Sequence, residues 1–161
     1  MSIVYHYRHS PRQTPGLSRN VIPTRVLIVS ADTYRAQQWR AKLQLRRFAV
    51  TLVHPDRSVC SLVAGDSFEV IVLDLAGSSE AGLSLCRQFR AAGVRVPVLM
   101  LHPQGGHRDL LDAFEAGTDA YMCGQFEDAE LLSRVGALSR RRTVDAIGDS
   151  RPQATAPPVS H

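Results

Sequence analysis

Asp74 stands near the end of an apolar run, Val70-Ile71-Val72-Leu73-Asp74-Leu75, and a carboxylate in that setting is the first place to look for chemistry. A continuous β-branched run of this length reads as a strand buried on both faces of a parallel sheet. Such sheets gather ligands outside the carboxyl ends of their strands, where the chain order reverses. Asp74 is therefore a candidate site residue. His102 follows a second run, Val98-Leu99-Met100-Leu101, and its strand-end position would put an imidazole near Asp74. Protonated, it would pair with the carboxylate and make the site pH-sensitive; the plainer reading is a surface histidine beside Pro103. Asp74, His102 and Cys123 together invite a nucleophile reading. Alternation along the last strand, however, puts Cys123 on the Tyr121 side and Gly124 toward the site, which excludes a cysteine hydrolase. The same residues make no convergent metal-ligand set.

The elements that must position these residues alternate. Strands are expected at Arg25 to Val29, Ala49 to Val53, Val70 to Leu75, Val98 to Leu101 and Ala120 to Met122. Helical periods fall between them, at Thr33 to Arg46, Ser58 to Ala64, Ala81 to Ala92 and His107 to Ala116, with a last one from Asp128 to Arg141. This is the pattern of an α/β fold, a (βα)5 doubly wound, five-stranded parallel sheet covered on both faces. Asp32 is placed to cap the first helix and Glu127 or Asp128 the last, while Gly93 and Gly117 stand where helices should stop.

With 161 residues, 44% of them hydrophobic, the chain can bury one full core. An irregular extension is expected over residues 1–24, rich in proline and arginine without a period, then one domain over 25–142. A disordered tail or linker is expected over 143–161. Three irregularly spaced cysteines fit neither a disulfide framework nor a zinc site, and no signal peptide or long apolar span is evident, so a reducing cytoplasm and no membrane partner are expected. The net charge of +4 is spread without an aromatic-interleaved patch, and the residues after Arg142 are too few and too polar for a DNA-reading module, so this chain is not expected to bind DNA itself. Nucleotide binding is also excluded, because Ser30-Ala31-Asp32 after the first strand offers no glycine-rich phosphate loop.

In that order of elements the chain resembles the receiver domain of two-component response regulators, most closely the OmpR-like branch. The resemblance runs from about Arg25 to Arg142. It rests on Val26-Leu27-Ile28-Val29, Val72-Leu73-Asp74-Leu75, Gly82-Leu83-Ser84-Leu85-Cys86-Arg87, Val96-Pro97-Val98-Leu99-Met100-Leu101, Gly117-Thr118-Asp119-Ala120-Tyr121, and Phe126 followed by Glu130-Leu131-Leu132. The resemblance implies that Asp74 matches the aspartate phosphorylated by a histidine kinase, beside Mg²⁺ held by oxygen ligands and a phosphoryl group held by a hydroxyl and an ammonium. The chain departs from the family at those points. The acidic pair falls on Ser30 and Ala31, with Asp32 one residue on; the strand-ending Ser or Thr is His102; the Lys is Gly124 and its following proline Gln125. Mg²⁺ binding is therefore expected to be weak or absent, and no other cofactor is implied.

Tyr121 matches the family's aromatic switch, here without its usual hydroxyl partner. Glu130 and Arg134, at i, i+4 on one helix face, match the charged face formed by the fourth helix, fifth strand and fifth helix, through which OmpR-like receivers form homodimers, and Asp119 is a further member. Arg141 is a further member, and Asp112 stands where a basic residue should meet Glu130, which opposes that dimer. The sequence thus points to a non-enzymatic pseudo-receiver in phosphorelay signal transduction and transcription regulation. It is expected to bind a protein partner, a signalling kinase or an output protein, largely without phosphorylation. The alternatives are a receiver phosphorylated on Asp74 through an unusual site and a small-molecule sensor on the same scaffold.

Overall fold

The computed structural model of the protein describes residues 22–74 and 79–148. Within them run β1 (Arg25–Ser30), α1 (Thr33–Leu45), β2 (Ala49–Val53), α2 (Ser58–Gly65), β3 (Val70–Asp74), α3 (Ser79–Ala91), β4 (Val98–His102), α4 (His107–Glu115), β5 (Ala120–Cys123) and α5 (Asp128–Gly148). All neighbouring strands pair in parallel, in the order β2-β1-β3-β4-β5. The fold class read from the alternating runs is the one observed, with element ends moved by a residue or two except at the end of α5.

Alternation along each strand divides the interior into two layers. Leu27, Val29, Ile71, Leu73, Val98 and Met100 face α2, α3 and α4, packing with Val59, Val63, Cys86, Phe89 and Ala113. Val26, Ile28, Val70, Val72, Leu99 and Leu101 face α1 and α5, packing with Ala36, Trp39, Leu43, Leu131 and Val135. Every residue of β3 is buried, as a strand covered on both faces must be. Burial of Leu73 and Val98, read from the sequence as central-strand residues, is complete to within 1%.

Helix ends follow local chemistry. The Asp32 carboxylate accepts from Arg35 N at 3.0 Å and caps α1. Gly117, just after α4, has φ +96, and a β-carbon there would also meet Arg90 Cγ at 2.7 Å, so the left-handed turn and the arginine both require glycine. Arg90 binds the carbonyls of Gly117, Val94 and Val96 and the Asp119 carboxylate at 2.8–2.9 Å. It thereby ties α3 to the entries of β4 and β5.

One expected boundary is corrected. α5 continues through residues 143–148, where a disordered tail was expected to begin, because each added residue extends a formed helix by one hydrogen bond and no proline intervenes before Pro152. Residues 149–161 and nearly all of the expected extension over 1–24 lie outside the described residues. Among the described residues no helix is long and apolar enough to cross a membrane.

Candidate functional site

The order of strands reverses at β1 and β3, and the register pairs Ser30 directly with Asp74 at the carboxyl ends of these two strands. Both side chains lie on the face covered by α1 and α5, in step with Ile28 and Val72. The Ser30 hydroxyl donates to Asp74 Oδ2 at 2.7 Å, and the Asp32 backbone N–H donates to Ser30 Oγ at 3.0 Å. The loop leaving β1 is thus anchored to the carboxylate at the end of β3.

Arg35, on the first turn of α1, completes the cluster. One of its terminal nitrogens donates to Asp74 Oδ2 at 2.6 Å, while the Asp74 side chain is wholly buried and that of Arg35 is 30% exposed. Its other terminal nitrogen lies 3.8 Å from Asp32 Oδ2, and the guanidinium sits 5.3 Å from the centre of the Trp39 ring, one turn along. Its Nε is buried without an acceptor among the described residues. A guanidinium held on an aromatic face therefore supplies the positive charge beside the buried carboxylate.

Arg35 is not among the site residues expected from the sequence. The available signal was spacing: Arg35 follows the Asp32 cap by three residues and precedes Trp39 by four, which puts all three along one edge of the helix.

These residues do not fit Mg²⁺. The ion needs several oxygen ligands in near-octahedral geometry, whereas Ser30 and Ala31 contribute no carboxylate and the cation beside Asp74 belongs to Arg35. Among the described residues no group of three or more His, Cys, Asp or Glu side chains could hold a metal. Gly124, at the matching end of β5, has φ +72 and presents no side chain. No ammonium reaches the site from there.

His102 is not where its strand-end position suggested. Asp74 pairs in register with Leu101, so His102 lies one residue further and points to the opposite face of the sheet. There its Nδ1 lies 3.1 Å from the Tyr121 hydroxyl, with the two rings edge to face. Of the two readings of His102, the pair with Asp74 is not the one formed, and Tyr121, without the hydroxyl its position usually faces, has the imidazole as partner. Burial, with the charges of Asp109 and Cys123 adding to it, pushes the Tyr121 phenol up to about 12, so the hydroxyl keeps its proton. Cys123 is exposed and shares this second face, away from Asp74, so the three residues form no nucleophile set.

Asp119 was read as an interface charge. It is exposed and also accepts within the chain, from Arg90 at 2.8 Å and from Val98 N at 2.8 Å. Glu130 and Arg134 remain partly exposed on α5. Leu111 and Phe114 on α4 are 57% and 49% exposed.

The family model described as the response regulator receiver domain matches residues 26–136. The response regulator MprA of Mycolicibacterium vanbaalenii is 33% identical over 124 residues, which cover 77% of this chain and 54% of that protein. MprA of Mycobacterium sp. strain KMS is 31% identical over 129 residues, covering 80% and 56%. The chain thus spans about half the length of these curated relatives. Among solved structures, the receiver domain of Francisella response regulator 1452 superposes with a TM-score of 0.68 at 24% identity, over 73% of this chain and 98% of that one. That likeness concerns the fold.

Proposed function

The chain belongs to the response regulator receiver domain family of two-component systems, and on that premise we propose that it is a pseudo-receiver, a domain that signals by binding a protein partner without being phosphorylated. The observation that carries this reading is the bond from Arg35 to the buried Asp74 carboxylate. Phosphoryl transfer to an aspartate needs the charge of the transferring group neutralised by a metal and fixed donors. Here the carboxylate that would attack is bound by a guanidinium and a serine hydroxyl, and the metal's acidic ligands are replaced. The domain then rests in one state, and recognition depends on fixed surface complementarity. The partner is a kinase or an output protein of the same cytoplasmic signalling system, and the domain performs no turnover of its own.

The test is incubation of the full chain with a low-molecular-weight phosphodonor and Mg²⁺, read by intact mass. No phosphoryl adduct is expected, and calorimetry with beryllofluoride and Mg²⁺ should show no micromolar binding. A stoichiometric adduct that disappears in Asp74→Asn would establish the alternative, a phosphorylated receiver with an unusual site. A second expectation concerns the partner. Asp74→Asn should leave its affinity nearly unchanged, whereas Arg134→Glu should weaken it several-fold by reversing a charge on the face formed by α4, β5 and α5. Titration of both folded variants against the natural partner decides this, and the reverse ranking would return control to Asp74.

A further inference from the structure

We infer that copies of this chain associate head to tail, with the outer face of α1 on one copy seated against the exposed end of α4 on the next. This contact is separate from the α4–β5–α5 face and goes beyond the functional reading, since neither patch contains Asp74.

Two apolar patches carry it. Besides Ile22, ahead of β1, the large apolar residues that stay exposed among the described residues fall on these two helices. On α1, Ala36, Trp39 and Leu43 enter the core, whereas Tyr34, Gln38, Ala41 and Leu45 recur at i, i+4, i+7 and i+11 and form an uncharged outer stripe. Tyr34 is 78% exposed at one end of it and Leu45 84% at the other. A surface helix ordinarily turns its polar residues outward, and here the sheet leaves the apolar ends of the stripe uncovered. On α4, Leu111 and Phe114 stay exposed while Ala113 between them enters the core.

Charge decides what each patch fits. α1 and the turn that closes it hold Arg35, Arg40, Lys42, Arg46 and Arg47 and no acid. Arg35 and Lys42 are used within the chain, by Asp74 and Asp128. Arg46 and Arg47 directly follow Leu45, are exposed, and enter no ion pair among the described residues. Arg47 has φ +65, a left-handed position where glycine is the unstrained residue, so this turn keeps a guanidinium at a cost in backbone strain. On α4 the exposed Asp112 and Glu115 adjoin Leu111 and Phe114, also without an ion pair among the described residues. Its one arginine, Arg108, stands in the first turn, well before Glu115. A leucine followed by two arginines thus matches an apolar pair beside two carboxylates.

Symmetric pairing fits neither patch. α1 against α1 would face arginine with arginine, and α4 against α4 carboxylate with carboxylate. The patches also cannot meet within one chain, because α1 covers one face of the sheet with α5, and α4 covers the other with α2 and α3. The contact is therefore heterologous, and each copy leaves one patch open for the next.

The experiment is sedimentation velocity of the full chain over about 1–300 μM, a range suited to an interface at the small, transient end of the scale. The wild type should be monomeric at the lowest concentration and pass beyond dimer at the highest, and added salt, about 0.5 M NaCl, should reverse much of that rise by screening the charges. Leu45→Glu blocks the α1 patch and Leu111→Lys the α4 patch; both positions are exposed, and unchanged thermal midpoints check that the variants fold. Each variant alone should stay monomeric. Their equimolar mixture should form a dimer and nothing larger, because Leu111→Lys retains an intact α1 and Leu45→Glu an intact α4. A wild type that stays monomeric throughout, or association that ignores salt, would overturn the inference. So would a mixture that remains monomeric, or either variant associating as the wild type does, which is the result expected of the α4–β5–α5 face or of a symmetric pair.

Discussion

Arg35→Ala is expected to lower the unfolding free energy by about 3 kcal/mol, the lower end of the cost of breaking a buried ion pair by removing one partner. The asymmetry of the pair sets this size. Asp74 has a wholly buried side chain, whereas Arg35 is 30% exposed and rests on Trp39. Without Arg35 the carboxylate keeps the Ser30 hydroxyl but loses the positive charge that compensates its desolvation. Asp74→Asn should cost less, because the arginine left behind is partly hydrated and retains Asp32 3.8 Å away. The double variant Arg35→Ala/Asp74→Asn should recover part of the loss, with a coupling of about 1–3 kcal/mol. Urea denaturation of the four proteins measures the cycle. If Arg35→Ala leaves the midpoint unchanged, the guanidinium is not the charge that stabilises the site, and the bond that carries the functional reading contributes nothing.

Leu73→Ala should cost about 2–5 kcal/mol, the range for deleting a buried leucine side chain from a core that relaxes only partly. Leu73 is 1% exposed on the central strand and faces the layer that contains Val29, Met100, Cys86 and Phe89. Strands pair on both sides of it, to Val29 and Met100, so the backbone cannot move inward to close the space left behind. Leu45→Ala provides the comparison. Leu45, the last residue of α1, is 84% exposed, and its replacement should change stability by less than about 0.5 kcal/mol. Equal denaturation midpoints for the two variants would show that β3 does not occupy the centre of the sheet.

Much of the fold was legible because its signals are local. Val26-Leu27-Ile28-Val29 and Val70-Ile71-Val72-Leu73 have no polar face, which only a strand covered on both sides tolerates. Gly93 and Gly117 mark helix ends because both have positive φ. The end of α5 was less legible. Apolar periodicity records where a helix packs, and a helix can propagate beyond its packed stretch while no residue breaks it. Of the candidate site, Asp74 was legible from its strand end and Ser30 only through the family resemblance, and the register pairs the two.

The chain by itself determined which groups were present: one carboxylate at the end of β3, no acidic pair after β1, and a glycine where an ammonium would be needed. Those are matters of composition at given positions, and no packing can add a missing carboxylate. Tertiary structure alone decided how the remaining groups were used. A parallel register offset by one residue sent His102 to the face opposite Asp74, because successive side chains of a strand alternate, and there it met Tyr121. The closure of α1 onto the sheet brought Arg35 to Asp74 across 39 positions of sequence. Asp119, which reads as a surface charge, stays exposed, but Arg90 and the backbone of Val98 both donate to it. In each case the deciding quantity was a distance between elements remote in sequence, set by the packing of two layers on one sheet.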